Sequence, residues 1–230
     1  MRDNVFPDNQ TDEQIDKLIS DSKITFMREG KFHLVFKITN TAYAPMVYRV
    51  HKRVYKGTIG SVNCRYNYDK DTSGTLTKYD TPKRTARLWR QLNPGHFIRI
   101  YDQGILAPYY DNSWKKPSDE EKAWILNEIY TQTQRIFLDI FRDNVRMHPE
   151  DNKKYVVIDP EKVMLLRTKN KNTGKNYKID GYESDATQSI WHLGCAEYLW
   201  KQINYNKTLS ALLSLLKKEN NLYIIQPRYV

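Results

Sequence analysis

The stretch LDIFRDNV, Leu138 to Val145, and the apolar run YVVID, Tyr155 to Asp159, carry most of the information in this sequence. Asp139 and Asn144 lie in the first, and Asp159 closes the second. One interpretation is a helix end followed by a buried strand. The other is a loop and a strand that direct the oxygens of Asn144 and Asp159 toward one magnesium ion, because Mg²⁺ keeps several waters and needs few protein ligands. Asp139 would then lie where a loop can hold it beside an acceptor hydroxyl.

The composition is that of a folded protein rather than a disordered one. The chain has 230 residues, of which 40% are hydrophobic, with nine glycines and nine prolines. This length suits one large domain or two lobes that share a cleft. No apolar run approaches the roughly 20 residues that a membrane-spanning helix needs, and the N-terminus lacks the hydrophobic core of a secretory signal. We therefore expect no transmembrane segment.

The net charge of +10 is concentrated in one quarter of the chain. Residues 47–100 contain twelve Lys or Arg and three Asp. Such a surface attracts phosphates, nucleic acid or acidic membranes. A solvated basic face explains the pattern equally well, and no nucleic-acid-binding motif accompanies it. A nucleic-acid or anionic-lipid partner is therefore an alternative with little support.

Residues 1–110 are mostly strand-like. A capping box, Thr11 with Gln14, predicts a short N-terminal helix. Two strands are expected after it, in GKFHLVFKI and in MVYRV, because the first alternates apolar and polar residues. An irregular insertion is expected over 57–81. A helix follows, with Thr81 as its cap and Pro82 in its first turn.

Residues 111–230 are mostly helical. A second capping box, Ser118 with Glu121, begins the longest predicted helix. Its apolar stripe consists of Trp124, Ile125, Ile129 and Ile136. Strands are expected in KKYVVID and VMLLR, and amphipathic helices in ATQSIWHLGCAEYLWKQI and TLSALLSLLKK. Strands first and helices second predict an α+β molecule of two lobes, 1–110 and 111–230, with a cleft between them.

The order of these pieces resembles the protein-kinase-like fold, with a strand-rich N-lobe and a helical C-lobe. Asp139-x4-Asn144, followed by Asp159 at the end of an apolar strand, is similar to the catalytic loop and the metal-binding aspartate of that family. The resemblance implies that Asp139 is catalytic and that Asn144 and Asp159 bind Mg²⁺.

The N-terminal half agrees with this resemblance. EGKFHLVFKI is similar to a glycine-rich loop, with Gly30 at one glycine position, His33 at the last and Val35 over the adenine. In MVYRV, Arg49 stands in place of the phosphate-binding lysine. ILAPYYD is where the hinge between the lobes would fall, so the resemblance implies that Tyr109 meets the nucleotide.

RLWRQLNPG, IYTQTQRIFLD and YVVID look similar to small kinase-like effectors of intracellular bacteria such as Legionella. The resemblance therefore implies an effector that binds ATP and Mg²⁺, transfers a phosphoryl or nucleotidyl group, and acts on a host protein or another host acceptor. Its expected location is the cytoplasm, or the host cytosol by a route without a signal peptide. The alternative is a pseudokinase that serves as a binding module, since most loop glycines are missing and TPKRTARLWRQLNPG carries no acidic residue.

Overall fold

The computed structural model describes residues 9–30, 32–66, 81–133, 135–137, 140, 144–160, 163–166 and 179–180. The fold is mixed α+β, as predicted. The chain divides into two compact units, Met1–Asp111 and Asn112–Val230. The elements of the first unit are α1 (Asp12–Ser20), β1 (Lys23–Glu29), β2 (His33–Thr39), β3 (Met46–His51), β4 (Thr58–Ile59), β5 (Val62–Asn63), α2 (Pro82–Leu92), β6 (Arg99–Tyr101) and β7 (Gly104–Pro108).

A five-stranded sheet forms the body of the first unit. Its strand order is β1-β2-β3-β7-β6, and every neighbouring pair is antiparallel. Strands β1, β2 and β3 are consecutive in the chain, whereas α2 lies between β3 and the last two strands. The chain therefore leaves the sheet after β3 and returns with β6 on the far side of β7.

One face of this sheet is covered by α1. The capping box of α1 is confirmed, because Thr11 and Gln14 each accept a hydrogen bond from the other's backbone N–H. The alternate residues of β2 face a buried cluster that also contains the apolar side of the helix. The cluster contains Ile15, Leu18, Ile19, Leu34, Phe36, Ile38, Met46, Tyr48, Val50 and Leu106 among others. Full burial of one such side chain stabilises the fold by about 1.5–3 kcal/mol.

The second helix, α2, begins as its sequence predicts. Pro82 lies in the first turn, and the Thr81 hydroxyl accepts a hydrogen bond from the Arg84 N–H at 3.3 Å. Leu88 and Trp89 are buried, and the helix lies next to β6 and β7. Since the buried residues of α2 do not belong to the α1 cluster, the two helices bury separate sets of side chains.

The predicted insertion over 57–81 is only partly irregular. Strands β4 and β5 form a small antiparallel hairpin, in which Thr58 pairs with Asn63. Ile59 from this hairpin joins the α1 cluster and is fully buried. Residues 67–80 lie outside the described part of the chain. The expectation of an insertion or irregular loop was therefore wrong for the start of the segment, which forms a hairpin anchored to the core.

The described part of the second unit contains one long helix and five short strands. These are α3 (Asp119–Thr133), β8 (Arg135–Phe137), β9 (Val145–Met147), β10 (Tyr155–Val157), β11 (Val163–Leu166) and β12 (Ile179–Asp180). Strands β9 and β10 form a hairpin, and β8 and β12 flank β11 in a second antiparallel sheet. The strands predicted in KKYVVID and VMLLR are confirmed. The two C-terminal helices predicted from the sequence lie outside the described residues.

The capping box of α3 is confirmed. Ser118 donates its backbone N–H to Glu121 Oε2 at 2.8 Å, and the Glu121 N–H donates to Ser118 Oγ at 3.2 Å. The predicted stripe is too long, because the helix ends at Thr133 and Ile136 lies in β8. No helix among the described residues is long and apolar enough to cross a membrane.

Candidate functional site

The face of the main sheet opposite α1 carries the N-terminal residues predicted from the sequence. His33 and Val35 alternate along β2 with the buried residues, so their side chains belong to this second face. Val35 is paired with Arg49 on β3, and Arg49 with Ile105 on β7. Val35 and Arg49, 14 residues apart in sequence, are therefore direct cross-strand neighbours.

An apolar patch lies beside Arg49 on the same face. Val47 is two residues before Arg49 on β3, and it is paired with Ala107 on β7. Val35 and Val47 are half-buried on this face, whereas Ala107 is only 1% exposed and is already covered. The sequence analysis missed Val47 and Ala107. The signal for Val47 was available, because residues two apart on a strand share a face, but Ala107 follows only from the pairing of β3 with β7.

Arg49 is held by His33. Its Nη2 lies 3.2 Å from His33 Nδ1. A guanidinium group only donates, so Nδ1 accepts and the proton of the neutral imidazole is on Nε2. The cation on β3 is therefore oriented by a neutral ring on the neighbouring strand.

The surroundings of His33 keep it neutral. Burial lowers the pKa of this imidazole to about 2, and electrostatic interactions with Arg49, His51 and Lys52 act in the same direction. The His51 ring meets the His33 ring edge to face, with 5.2 Å between centroids. Lys52, which directly follows β3, forms a salt bridge with Glu29 at the end of β1. His33 is thus a permanent acceptor for Arg49 at neutral pH.

We expect acid to destabilise the protein through His33. The unfolded imidazole takes up a proton below about pH 6.5, whereas the folded one stays neutral until about pH 2, so stability is complete above pH 6.5 and falls as the pH drops through this window. At about pH 4.5 this costs on the order of 3 kcal/mol. His33→Asn keeps an acceptor near the Nδ1 position and does not titrate. Urea unfolding of both proteins across this range should show the smaller loss in the variant, and parallel losses would contradict the assignment.

Gly30 lies in a tight turn rather than in an open loop. Its N–H donates to the His33 carbonyl at 2.8 Å, which closes the β1–β2 hairpin. A Cβ atom placed on Gly30 would have its nearest contact at 3.5 Å, also with that carbonyl, which is an ordinary packing distance. The turn therefore does not require glycine at this position, and the nucleotide-binding role of Gly30 stays a prediction.

Tyr109 lies immediately after β7, beside the second face of the sheet. Its backbone N–H donates to the Pro45 carbonyl at 2.9 Å. The ammonium group of Lys37 lies 4.0 Å from the centroid of the Tyr109 ring, which is a cation–π contact. Lys37 shares its face of β2 with Val35. The patch thus has Arg49 with His33 on one side and Lys37 with Tyr109 on the other.

In the second unit, Asn144 and Asp159 come together at the open end of the β9–β10 hairpin. Val145 pairs with Val157, and the Ile158 N–H donates to the Asn144 carbonyl at 2.8 Å. This bond extends the ladder by one pair beyond the strands. Asp159 is the next residue, and Asn144 is 8% exposed. Two residues that are 15 apart in sequence are therefore neighbours.

At this hairpin end Asn144 supplies an amide group and Asp159 a carboxylate. One carboxylate and one amide oxygen suffice for an ion that keeps several waters. Within the part of the chain that the structure describes, no group of three or more His, Cys, Asp or Glu could hold a metal ion. A site of one Asp and one Asn does not need such a group. Asp139, the predicted catalytic residue, lies outside the described residues.

Comparison of the sequence with models of known protein families, and with curated proteins, finds no match.

Proposed function

We propose that the chain is a kinase-like phosphotransferase that binds ATP with Mg²⁺. The observation that carries the proposal is the hydrogen bond from the Ile158 N–H to the Asn144 carbonyl, which makes Asn144 and Asp159 neighbours. In protein kinases the catalytic-loop Asn and the Asp after the following hairpin are the two protein ligands of the metal. The sequence resemblance assigns these roles to the same two residues.

The first unit supports the proposal independently. In protein kinases the cation that binds the phosphates lies on the third strand, and a helix follows that strand. Arg49 lies on β3, and α2 follows before the sheet resumes. Val35 and Val47 are half-buried apolar residues beside Arg49, and such residues suit contact with an adenine ring.

Each residue then has one task. Arg49, oriented by His33, binds phosphate oxygens through its planar fork of donors. Asn144 and Asp159 hold Mg²⁺, which neutralises charge that develops on the transferred group. Asp139 orients the acceptor hydroxyl and takes its proton. The acceptor is a host protein or another host molecule, and the phosphotransferase acts in the cytoplasm or in a host cytosol.

A pseudokinase is the second candidate, and the β1–β2 turn favours it. The turn is closed by the bond between the Gly30 N–H and the His33 carbonyl, so this N–H is already occupied. A loop of this kind offers fewer donors to phosphates than a glycine-rich loop. A pseudokinase would bind nucleotide without forming product, and would act by docking on a partner protein.

The proposal is tested by thermal unfolding with ATP, with and without Mg²⁺. A ligand at about 100 times its dissociation constant stabilises the fold by roughly 2.7 kcal/mol. We expect a Mg²⁺-dependent rise in Tm for the wild type and none for Asp159→Ala. Asp151→Ala is the matched control, since this carboxylate lies in the turn of the same hairpin, away from Asn144. A wild-type protein that ATP and Mg²⁺ do not stabilise would overturn the proposal, as would equal shifts in the two variants.

A further inference from the structure

One side of α2 is a stripe of exposed cations. Lys83, Arg87 and Arg90 are at positions i, i+4 and i+7, which brings them to one side of the helix. The opposite side carries the buried residues, Thr85, Ala86, Leu88, Trp89 and Leu92. The stripe extends about 10 Å along the helix axis.

This stripe is not neutralised by carboxylates. Residues 82–92 contain four basic residues and no acidic one. Within the described part of the chain, neither Lys83 nor Arg87 forms an ion pair. A solvated helix face usually mixes both signs, because opposite charges at i and i+4 stabilise the helix. The helix α2 lacks that stabilisation, and the like charges of Lys83, Arg87 and Arg90 repel one another.

A cavity of about 440 Å³ adjoins the end of the stripe. Arg90 lines it from α2, Arg99 lines it from β6, and Gly95 and His96 line it from the turn between them. Both charged side chains that line the cavity are arginines. A Cβ atom on Gly95 would meet nothing within 4 Å, so the wall is open on that side.

His96 contributes a neutral imidazole to the lining of this cavity. Burial lowers the pKa of His96 and raises the pKa of Tyr110, so both are neutral at pH 7. The Tyr110 hydroxyl is hydrogen-bonded to His96 Nδ1. A neutral phenol and a neutral imidazole can each donate or accept, so this bond fits either tautomer of His96.

Arg99 is positioned before any ligand arrives. Its Nη2 lies 2.6 Å from Asp12 Oδ1, and its Nη1 donates to the Gln10 carbonyl. The Asp12 carboxylate is 82% exposed, so solvent screens its charge. Arg90 donates one N–H to the Ile98 carbonyl at 3.3 Å. Each guanidinium has five N–H donors, so both retain donors for a further acceptor.

From this geometry we infer that the cavity and the α2 stripe bind a short acidic segment of a partner protein, with a phosphorylated side chain in the cavity. Two guanidinium groups around one concave space match the oxygens of a phosphate group. The stripe then binds the carboxylates that flank the phosphate. This inference does not depend on the proposed kinase activity.

The dimensions favour a peptide over the other anionic partners. Basic clusters that bind anionic membranes contain about four to eight Lys or Arg, and nucleic-acid modules bury about 600 Å² or more. Three cations spread over about 10 Å, together with one cavity, match a short peptide that carries two or three negative charges. Single-stranded nucleic acid also needs aromatic stacking platforms. Among the described residues, only Phe26, Met27 and Ile100 are large hydrophobic residues that are exposed, and none lies on α2.

The test measures fluorescence anisotropy of a short polyglutamate peptide with one central phosphoserine, at physiological ionic strength. We expect the triple variant Lys83→Ala/Arg87→Ala/Arg90→Ala to bind about tenfold more weakly than the wild type. The matched control is Arg28→Ala/Lys56→Ala/Arg65→Ala, which removes the same three charges from exposed positions on other elements. It should change the affinity by less than about twofold.

Single variants separate the cavity from the stripe. Arg90→Ala should abolish the preference for the phosphoserine peptide over the same peptide with serine, because Arg90 lines the cavity. Lys83→Ala should weaken both peptides by the same factor. Equal losses in the two triple variants would mean binding to net charge alone and would overturn the inference. So would the absence of peptide binding, or tighter binding of an oligonucleotide or of phosphatidylserine vesicles through the same three residues.

Discussion

Gly104→Ala is expected to lower the free energy of unfolding by about 3 kcal/mol. Gly104 begins β7 and is paired with Val50 in the centre of the main sheet. A Cβ atom there would lie 2.5 Å from the Arg49 carbonyl oxygen and 2.6 Å from two ring carbons of Tyr48. The oxygen belongs to the backbone of β3, and the Tyr48 ring is 1% exposed. Neither group can move without loss of strand pairing or of core packing.

Gly30→Ala is the matched control for Gly104→Ala. Both substitutions add one methyl group to a glycine of the same sheet region, but the Cβ on Gly30 would make only an ordinary contact at 3.5 Å. Urea unfolding should give the large loss for Gly104→Ala and less than about 1 kcal/mol for Gly30→Ala. Equal losses of unfolding free energy in the two variants would mean that β7 does not approach β3 as closely as the structure shows. Since the clash involves Arg49, Gly104→Ala should also weaken ATP binding.

Local signals explain which elements the sequence could predict. Each helix start rests on residues within four positions of one another, such as Thr11 with Gln14 and Ser118 with Glu121. The alternation of β2 likewise reports one buried and one open face, whatever the partner strands are. Helix caps and strand alternation depend on residues that are close in sequence, so they can be predicted from the sequence alone.

The wrong assignment of Ile136 has a non-local cause. Its distance from Ile129 is seven residues, which fits the stripe of a continuing helix. In the structure Ile136 instead pairs with Met164 across β8 and β11. A partner 28 residues away therefore decides its conformation, and such short apolar runs suit a helix or a strand equally well.

The candidate site likewise has features that the sequence predicts and others that depend on the pairing of distant strands. The resemblance to kinases predicted that Val35 and Arg49 serve one nucleotide site, and the structure pairs these two residues directly. The contact of His33 with Arg49, and the contribution of Ala107, depend on the registers of three strands. Those registers are fixed by the apolar side chains of the sheet that are buried against α1. The sequence therefore indicates which residues carry the chemistry, while the core decides which of them are neighbours.

Asp139→Ala is expected to lower the rate of phosphoryl transfer at least about 100-fold, which is the low end of what a positioned general base contributes. In the proposed mechanism this carboxylate accepts the proton of the attacking hydroxyl and makes no contact with Mg²⁺. Nucleotide binding should therefore survive, and the Mg²⁺-dependent rise in Tm with ATP should equal that of the wild type. The rate is measured as single-turnover transfer of labelled γ-phosphoryl from ATP to protein, lipid or water.

The two aspartates thereby separate the enzyme from the pseudokinase. Asp159→Ala should lose both the Tm shift and the transfer, Asp139→Ala should lose only the transfer, and Asp151→Ala should lose neither. A wild-type protein with the Tm shift but no transfer to any acceptor would be a pseudokinase, since it binds without turnover. Transfer that survives Asp139→Ala unchanged would remove this residue from the reaction. Asn144 and Asp159, at the end of the β9–β10 hairpin, would then be the residues of the site that the reaction requires.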